Sequence, residues 1–449
     1  MLSRALITTP AEESSSRRRC QAAIVVFISL VTSSFGISAR QSAASTAGAA
    51  DPALVQVRHV DNIDELAREP SIVEHPDGTL FVSGYGPSFS ETPSGVHMEA
   101  QKVPRLWKST DGGKTWTRVD VGGEADEAVG NSDVSLAVAQ DGTLYFANMG
   151  FDRKALEGTH IAIGVSTDVG KTWRWTMLSK KRFDDRPWVA VAPDGTAHVI
   201  WNDGSGVYHT VSRDRGVTWS EPQRIHPDGG SSHLAVGPKG EVAVHITPES
   251  ASDNKFTEGL DLIAVSTDGG TTWQKRPAPG QHDWAPEGTP GAIPRWVEPL
   301  AWDSRGALYS LWTNVKGVWL AQSLDRGATW KTYKVADIDD LSYFPYLAAH
   351  GPGELAATWF SGAGDSLRWH ACRIQLSPGM DRPRVIESAP LTIESWWKSE
   401  HRRNAPVHDA GGEYLSVTFL RDGDLAIVSP IQNQQAKRFG FTFWRFKGH

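Results

Sequence analysis

Five intact copies of Ser-x-Asp-x-Gly-x-Thr-Trp run through this chain: Ser109 to Trp116, Ser166 to Trp173, Ser212 to Trp219, Ser266 to Trp273 and Ser323 to Trp330. Their starts lie 57, 46, 54 and 57 residues apart. A motif recurring at that spacing marks one supersecondary unit stacked many times. The residues describe a tight hairpin turn. Asp and Ser hydrogen-bond nearby backbone groups and cap it. Gly supplies a positive φ without steric cost. Thr and Trp begin the next strand, and Trp brings a large area to bury. The motif aspartates are therefore read as structural.

The motif resembles the Asp-box, or BNR, repeat of the sialidase-like β-propellers. Sialidases, other glycoside hydrolases, sorting receptors and non-catalytic assembly factors share that repeat, and the fold does not choose between them. Composition agrees: a chain of 449 residues with 43 Gly and 19 Trp suits many turns and much aromatic packing in one repetitive domain.

A second repeat counts the blades. Strand, Gly turn and strand recur at Ser71–Ser83, Val134–Ala147, Trp188–Trp201, His233–Ile246, Leu300–Trp312, Tyr346–Trp359 and Val407–Phe419. These are period-2 apolar runs broken by turn residues. An Asp-box hairpin follows each of the first five. Second hairpins without the box are read at Arg368–Ile374 with Arg384–Glu387, and at Leu425–Ser429 with Phe441–Phe446. The expected fold is all-β: a seven-bladed propeller of four-stranded antiparallel blades. Six blades is the alternative. The strand Leu54–Val60 is expected to close the ring, because closure removes exposed edges.

Ahead of the propeller (54–449) stand two other segments. Arg17, Arg18 and Arg19, the apolar run Cys20–Val31 and small residues up to Ala39 read as a secretory signal peptide over 1–39. An uncleaved membrane anchor is the alternative. Residues 40–53 read as a flexible leader. A secreted or periplasmic location is expected. Cys20 lies in the signal, which leaves Cys372 alone and no internal disulfide. Removing 1–39 takes four Arg and two acids, leaving 41 basic and 50 acidic residues, a net charge near −9. Nothing suggests a nucleic-acid partner. A monomer acting on a glycan or oligosaccharide is expected.

Register locates the site. In each blade the inner turn and the Asp-box turn share one face, so the starts of the inner strands share the opposite one. In five inner strands the turn Gly sits eight residues after Pro70, Val134, Pro187, Ser232 and Pro345. The residues before these are equivalent: Glu69, Asp133, Arg186, Ser231 and Phe344. Blade five gives Glu298 before Pro299, with a turn one residue shorter, and blade seven gives Ala405 before Pro406. Glu69, Asp133, Arg186 and Glu298 thus converge on one ring, with Arg68, Asp185 and Arg295 beside them and His233 one step in. Loops of that face add Asn202, His245 and the segment Gln281–Arg295 with Trp284. Converging carboxylates and guanidinia in a concave apolar fold are the default site.

For sialidase chemistry the resemblance implies an arginine cluster that clamps the sugar carboxylate, a Tyr nucleophile with its carboxylate, and an Asp acid/base. Ala67-Arg68-Glu69-Pro70 resembles the family's Arg-Ile-Pro, which makes Arg68 a clamp arginine, with Glu69 in place of Ile. Gly84-Tyr85-Gly86 stands where a second Arg is expected. Tyr343 lies beside the slot of the family nucleophile, which Phe344 takes. No His/Cys cluster has metal-ligand spacing, no cofactor is implied, and no Gly-rich phosphate loop opens a helix. Trp396-Trp397 suit stacking on sugar or packing between blades. The leading reading is a glycoside hydrolase with Glu69, Asp133 and Glu298 as acid and base and Arg68, Arg186 or Arg295 as sugar ligands. A non-catalytic binding or scaffold propeller comes second. A polysaccharide lyase with His233 or Tyr343 as base comes third.

Overall fold

The computed structural model describes residues 53–92, 95–99, 102–247, 261–280, 298–314, 317–338, 342–362, 367–394, 412–433 and 435–448, with backbone alone at 88–92 and 95–99. The expected signal segment lies outside them. The described residues form seven four-stranded antiparallel sheets and one two-stranded ribbon, Ser88–Thr92 with Gly95–Glu99. Blade one runs Arg68–Glu74, Leu80–Tyr85, Arg105–Ser109 and Thr117–Arg118 from the inside outward. Blades two to six repeat this order, with inner strands Val134–Val138, Asp185–Val191, Gly230–Val236, Leu300–Trp302 and Ser342–Ala349. Each inner strand packs on the inner strand of the next blade, and blade seven meets blade one. Seven blades replace the six-bladed alternative.

Blade seven departs from the expected register. Its inner hairpin is Val417–Phe419 with Leu425–Asn433, turning at Asp422-Gly423, not at Gly411-Gly412. Gly423 has φ +86° and donates its N–H to Leu420 O at 2.8 Å, as the inner-turn glycines of blades one to five do to the residue three before them. Leu425–Asn433 and Arg438–Phe446 are therefore strands two and three. The fourth is Gln56–Ile63, antiparallel to Arg438–Phe446. Blade seven has no Asp-box because its two outer strands come from opposite ends of the domain, with no hairpin between them.

Seven apolar clusters hold the ring, one per blade interface. Phe81, Leu106, Leu136, Phe146 and Trp175 join blades one and two, and Trp107, Val428, Phe441 and Phe443 join seven and one. The Asp-boxes fasten five of these interfaces. In every copy the Ser hydroxyl donates to Asp Oδ1, the Gly N–H donates to that Ser oxygen, and the Thr N–H and hydroxyl donate to the two Asp oxygens; in the fourth copy these lie at 2.7, 2.8, 2.9 and 2.6 Å. Threonine donation above all holds Asp214, Asp268 and Asp325 down at about 2. The motif Gly then lies against the preceding blade. A Cβ on Gly113 would sit 2.3 Å from Phe443, on Gly216 2.6 Å from Val165, and on Gly270 2.1 Å from His209.

His198 pairs with His209 inside blade three, Nδ1 of His198 to Nε2 of His209 at 3.0 Å. Burial first, then mutual repulsion at His209, pushes His198 down to about 4 and His209 to about 3.

Gly270→Ala adds that close contact to a φ of +85° and is expected to cost about 3 kcal/mol. Gly195→Ala, at φ +88° with open space around it, should cost only about 1 kcal/mol, a difference that urea unfolding resolves. The histidine pair sets an acid limit. Between the ordinary histidine value and about 4, the unfolded chain binds protons that folded His198 does not, so this contribution falls with falling pH. Its slope is about 1.4 kcal/mol per pH unit per histidine. His209→Gln is expected to lose less stability than the native chain between pH 7 and pH 5, again by urea unfolding.

Candidate functional site

Four of the inner strands start with a bulge. Register slips between Arg68 and Ser71, Asp185 and Trp188, Ser231 and His233, and Tyr343 and Tyr346. At three of these, Glu69, Arg186 and Phe344 adopt φ of +46°, +49° and +47°, and each precedes a proline. A residue before proline is ordinarily held extended, and a left-handed non-glycine residue costs about 1–3 kcal/mol. A bulge re-aims a side chain. Here it leaves Glu69 and Arg186 in one electrostatic cluster on the channel face.

That cluster comprises Arg68, Glu69, Tyr85, Asp133, Asp185, Arg186, Glu413 and Tyr414. Glu69 is almost fully buried. Its Oε1 accepts the Glu413 N–H at 2.9 Å, and its Oε2 is buried without a hydrogen-bond partner. Gly412 makes room for it, since a Cβ there would sit 2.2 Å from Glu69 Cγ. Asp133 accepts from the Ser132 hydroxyl at 3.1 Å. Asp185 Oδ1 accepts the Arg186 N–H at 2.9 Å, with the Arg186 Nε 3.9 Å from Oδ2. The Arg68 guanidinium lies over the Tyr85 ring, 5.8 Å from its centre, and its Nε is buried without an acceptor.

Crowded carboxyls hold their protons. Burial, then the charge of Glu69, pushes Asp133 up to about 7, with Arg186 opposing. Burial raises Glu69 against the pull of Arg68. Burial raises Glu413 well above the carboxylate range against Arg186, and Glu69 and Asp133 add to the rise. The Tyr85 phenol is driven up by burial and by Glu69. At mildly acidic pH Asp133 therefore keeps its proton beside two guanidinia.

Of the residues expected from sequence, the structure gathers Arg68, Glu69, Asp133, Asp185 and Arg186. His233 lies in the channel wall between Trp188 at 4.7 Å and Tyr346 at 5.6 Å. Burial, then His245, pushes it down to about 3. Asn202 is a brace: its Oδ1 accepts the Ser231 N–H and hydroxyl, both at 2.9 Å. Glu298 stands with His245 and Asp261 instead, its Oε2 3.6 Å from His245 Nε2. Tyr343 is packed in the core on Phe344 and Phe360 and donates its hydroxyl to Gly362 O at 2.9 Å. The neighbouring bulge residue and Tyr343 point opposite ways along the strand, which sends Tyr343 inward. Arg295 and Trp284 lie outside the described residues, as does Ala405.

Three members were not expected: Tyr85, Glu413 and Tyr414. A signal existed for two. The ring residue precedes the inner-turn Gly by nine positions in blades one to four and six, and nine before Gly423 is Tyr414. Glu413 then corresponds to Arg68 and Asp185. Tyr85 enters from the second strand, where it pairs with Arg68.

Comparison with known proteins agrees with the repeat. The BNR/Asp-box repeat family matches residues 264–275. A sialidase from Micromonospora viridifaciens is 24% identical over 366 residues, covering 72% of this chain and 54% of that protein. The chain thus spans about half the length of the curated relative it matches. A protein of unknown function from Dyadobacter fermentans superposes with a TM-score of 0.51 at 15% identity, over 89% of this chain and all of that one. An α-L-arabinanase from Penicillium chrysogenum, solved with arabinobiose, has a TM-score of 0.45 at 14% identity, over 86% of this chain and 98% of its own. The fold and its repeats define a seven-bladed Asp-box propeller. In fold and repeat the chain is similar to the sialidase-like BNR-repeat propellers.

Asp133→Asn tests the frustration of the cluster. A carboxyl raised to about 7 in the fold loses stability as pH rises from its ordinary value through 7. The variant is expected to be more stable than the native chain at pH 8, by on the order of 1 kcal/mol, and unchanged at pH 4, in thermal melts at the two values.

Proposed function

We propose that this chain is a secreted glycoside hydrolase acting on a glycan at the channel face. Asp133 is the proton donor to the leaving oxygen. Its value of about 7 supports this, because a general acid works best near the pH at which it operates. Glu69 is the second carboxyl, acting on the attacking group from the opposite side of the bond, either directly or through the Tyr85 phenol beside it. Arg68 carries a guanidinium Nε without an acceptor, and it binds the sugar with Arg186. With Asp133 protonated, the two guanidinia suit an acidic or richly hydroxylated sugar.

A panel of fluorogenic glycosides, α-sialoside included, tests this. The native chain is expected to cleave one member, with kcat falling above pH 7 as Asp133 ionises. Asp133→Asn should cost about 10²- to 10⁴-fold in kcat and flatten the alkaline limb. Arg68→Ala should act mainly on kcat/KM. A folded protein that cleaves no member would sink the hydrolase and leave a binding propeller.

A further inference from the structure

Blades four and five hold a second group of chemically active side chains, separate from the carboxyl cluster above. His245 lies on Val242–Thr247, Asp261 just before Leu262–Ser266, and Glu298 two residues before Leu300–Trp302. All three are buried, with side-chain exposures of 0%, 1% and 2%. His245 Nε2 is 2.7 Å from Asp261 Oδ1 and 3.6 Å from Glu298 Oε2. The three ligand atoms all fall within 4.8 Å of one another.

We propose that His245, Asp261 and Glu298 form a site for a divalent transition-metal ion of the Zn²⁺ type, fastening blade four to the start of blade five. An imidazole nitrogen carries at most one proton. Here two carboxylates face the same nitrogen, Asp261 Oδ1 at 2.7 Å and Glu298 Oε2 at 3.6 Å. A cation at that point serves all three. Bonds of about 2.0–2.2 Å from one ion reach three atoms so spaced after small side-chain shifts. His245 Nδ1 makes no hydrogen bond, so the ring is oriented only through the nitrogen that faces the carboxylates. Two carboxylates and a neutral imidazole match the charge of a divalent ion. A nitrogen donor among the oxygens favours Zn²⁺ over Ca²⁺. On binding, the proton on Nε2 moves to Nδ1 and Nε2 donates its lone pair to the metal. Three protein ligands leave a fourth position for water. No motif announces the site, because the ligands come from three strands, 16 and 37 residues apart.

The test is metal content and melting temperature of the full chain, stripped with EDTA and then dialysed against Zn²⁺ or Ca²⁺. The expected result is one tightly held Zn²⁺ per chain and a melting temperature several degrees above the stripped protein, reversed by EDTA. Ca²⁺ should do neither. Asp261→Asn and Glu298→Gln keep shape and are expected to lose the bound Zn²⁺ and its thermal effect. A chromophoric-chelator competition on whichever variant folds should show at least a 10-fold weaker affinity. No stoichiometric Zn²⁺ in the native chain, equal binding by the variants, or a Ca²⁺ preference would each overturn the proposal. None of these readouts depends on glycoside turnover.

Discussion

The approach of each Asp-box turn to the blade before it governs this molecule. The motif serine, aspartate and threonine consume one another's hydrogen bonds, so the turn needs nothing from its surroundings to hold its shape. What it presents outward is a glycine without a side chain, pressed on Phe443, Phe81, Val165 or His209 of the neighbour. A backbone brought that close removes water from an apolar seam along its whole length, and burial of that seam supplies the cohesion between blades. Seven apolar seams close the ring, five of them pinned in this way, and the strand Gln56–Ile63 completes the last blade from the other end of the domain. The ring tolerates strain elsewhere because this contact is repeated.

The strain lies at the far end of the inner strands. Glu69, Arg186 and Phe344 take left-handed backbones before proline, and burial raises the carboxyls of Glu69, Asp133 and Glu413, which share one space. None of this helps the fold. At the opposite end of the channel, chemistry of the same kind is settled: Asp303 accepts from Arg305, Ala307, Tyr309 and Gly353 and has no unmatched charge. One end of the ring is built for stability and the other against it. A site retained at such a cost is where function is to be sought.

Much of this was legible before any coordinates. Spacing alone gave five turns, the closing strand and the ring position that Glu69, Asp133 and Arg186 occupy. Periodicity carries that information because every blade repeats one register. Legibility failed where register broke. Gly411-Gly412 looked like the last inner turn, while Asp422-Gly423 holds it, and the shift hid Tyr414 and Glu413. Tyr343 matched a neighbouring motif slot, but strand alternation buries it. Tyr85 belongs to a second strand, and the meeting of His245, Asp261 and Glu298 depends on how two blades sit side by side, which no spacing encodes.

Two sets of buried titrating groups pull this protein in opposite directions with pH. His198, His209 and His233 are held neutral by burial and oppose folding as pH falls below the ordinary histidine value. Burial raises Glu69, Asp133 and Glu413, so they oppose it as pH rises above the ordinary carboxylate range, Asp133 up to about 7. The first set sits in blade interiors and in the channel wall, the second at the channel face. The window between them is mildly acidic. There the fold is least taxed, and Asp133 still carries its proton beside Arg68 and Arg186. The electrostatics that stabilise the ring and those that suit the proposed chemistry therefore meet in the same pH range, because both arise from charges that the closed ring removes from water.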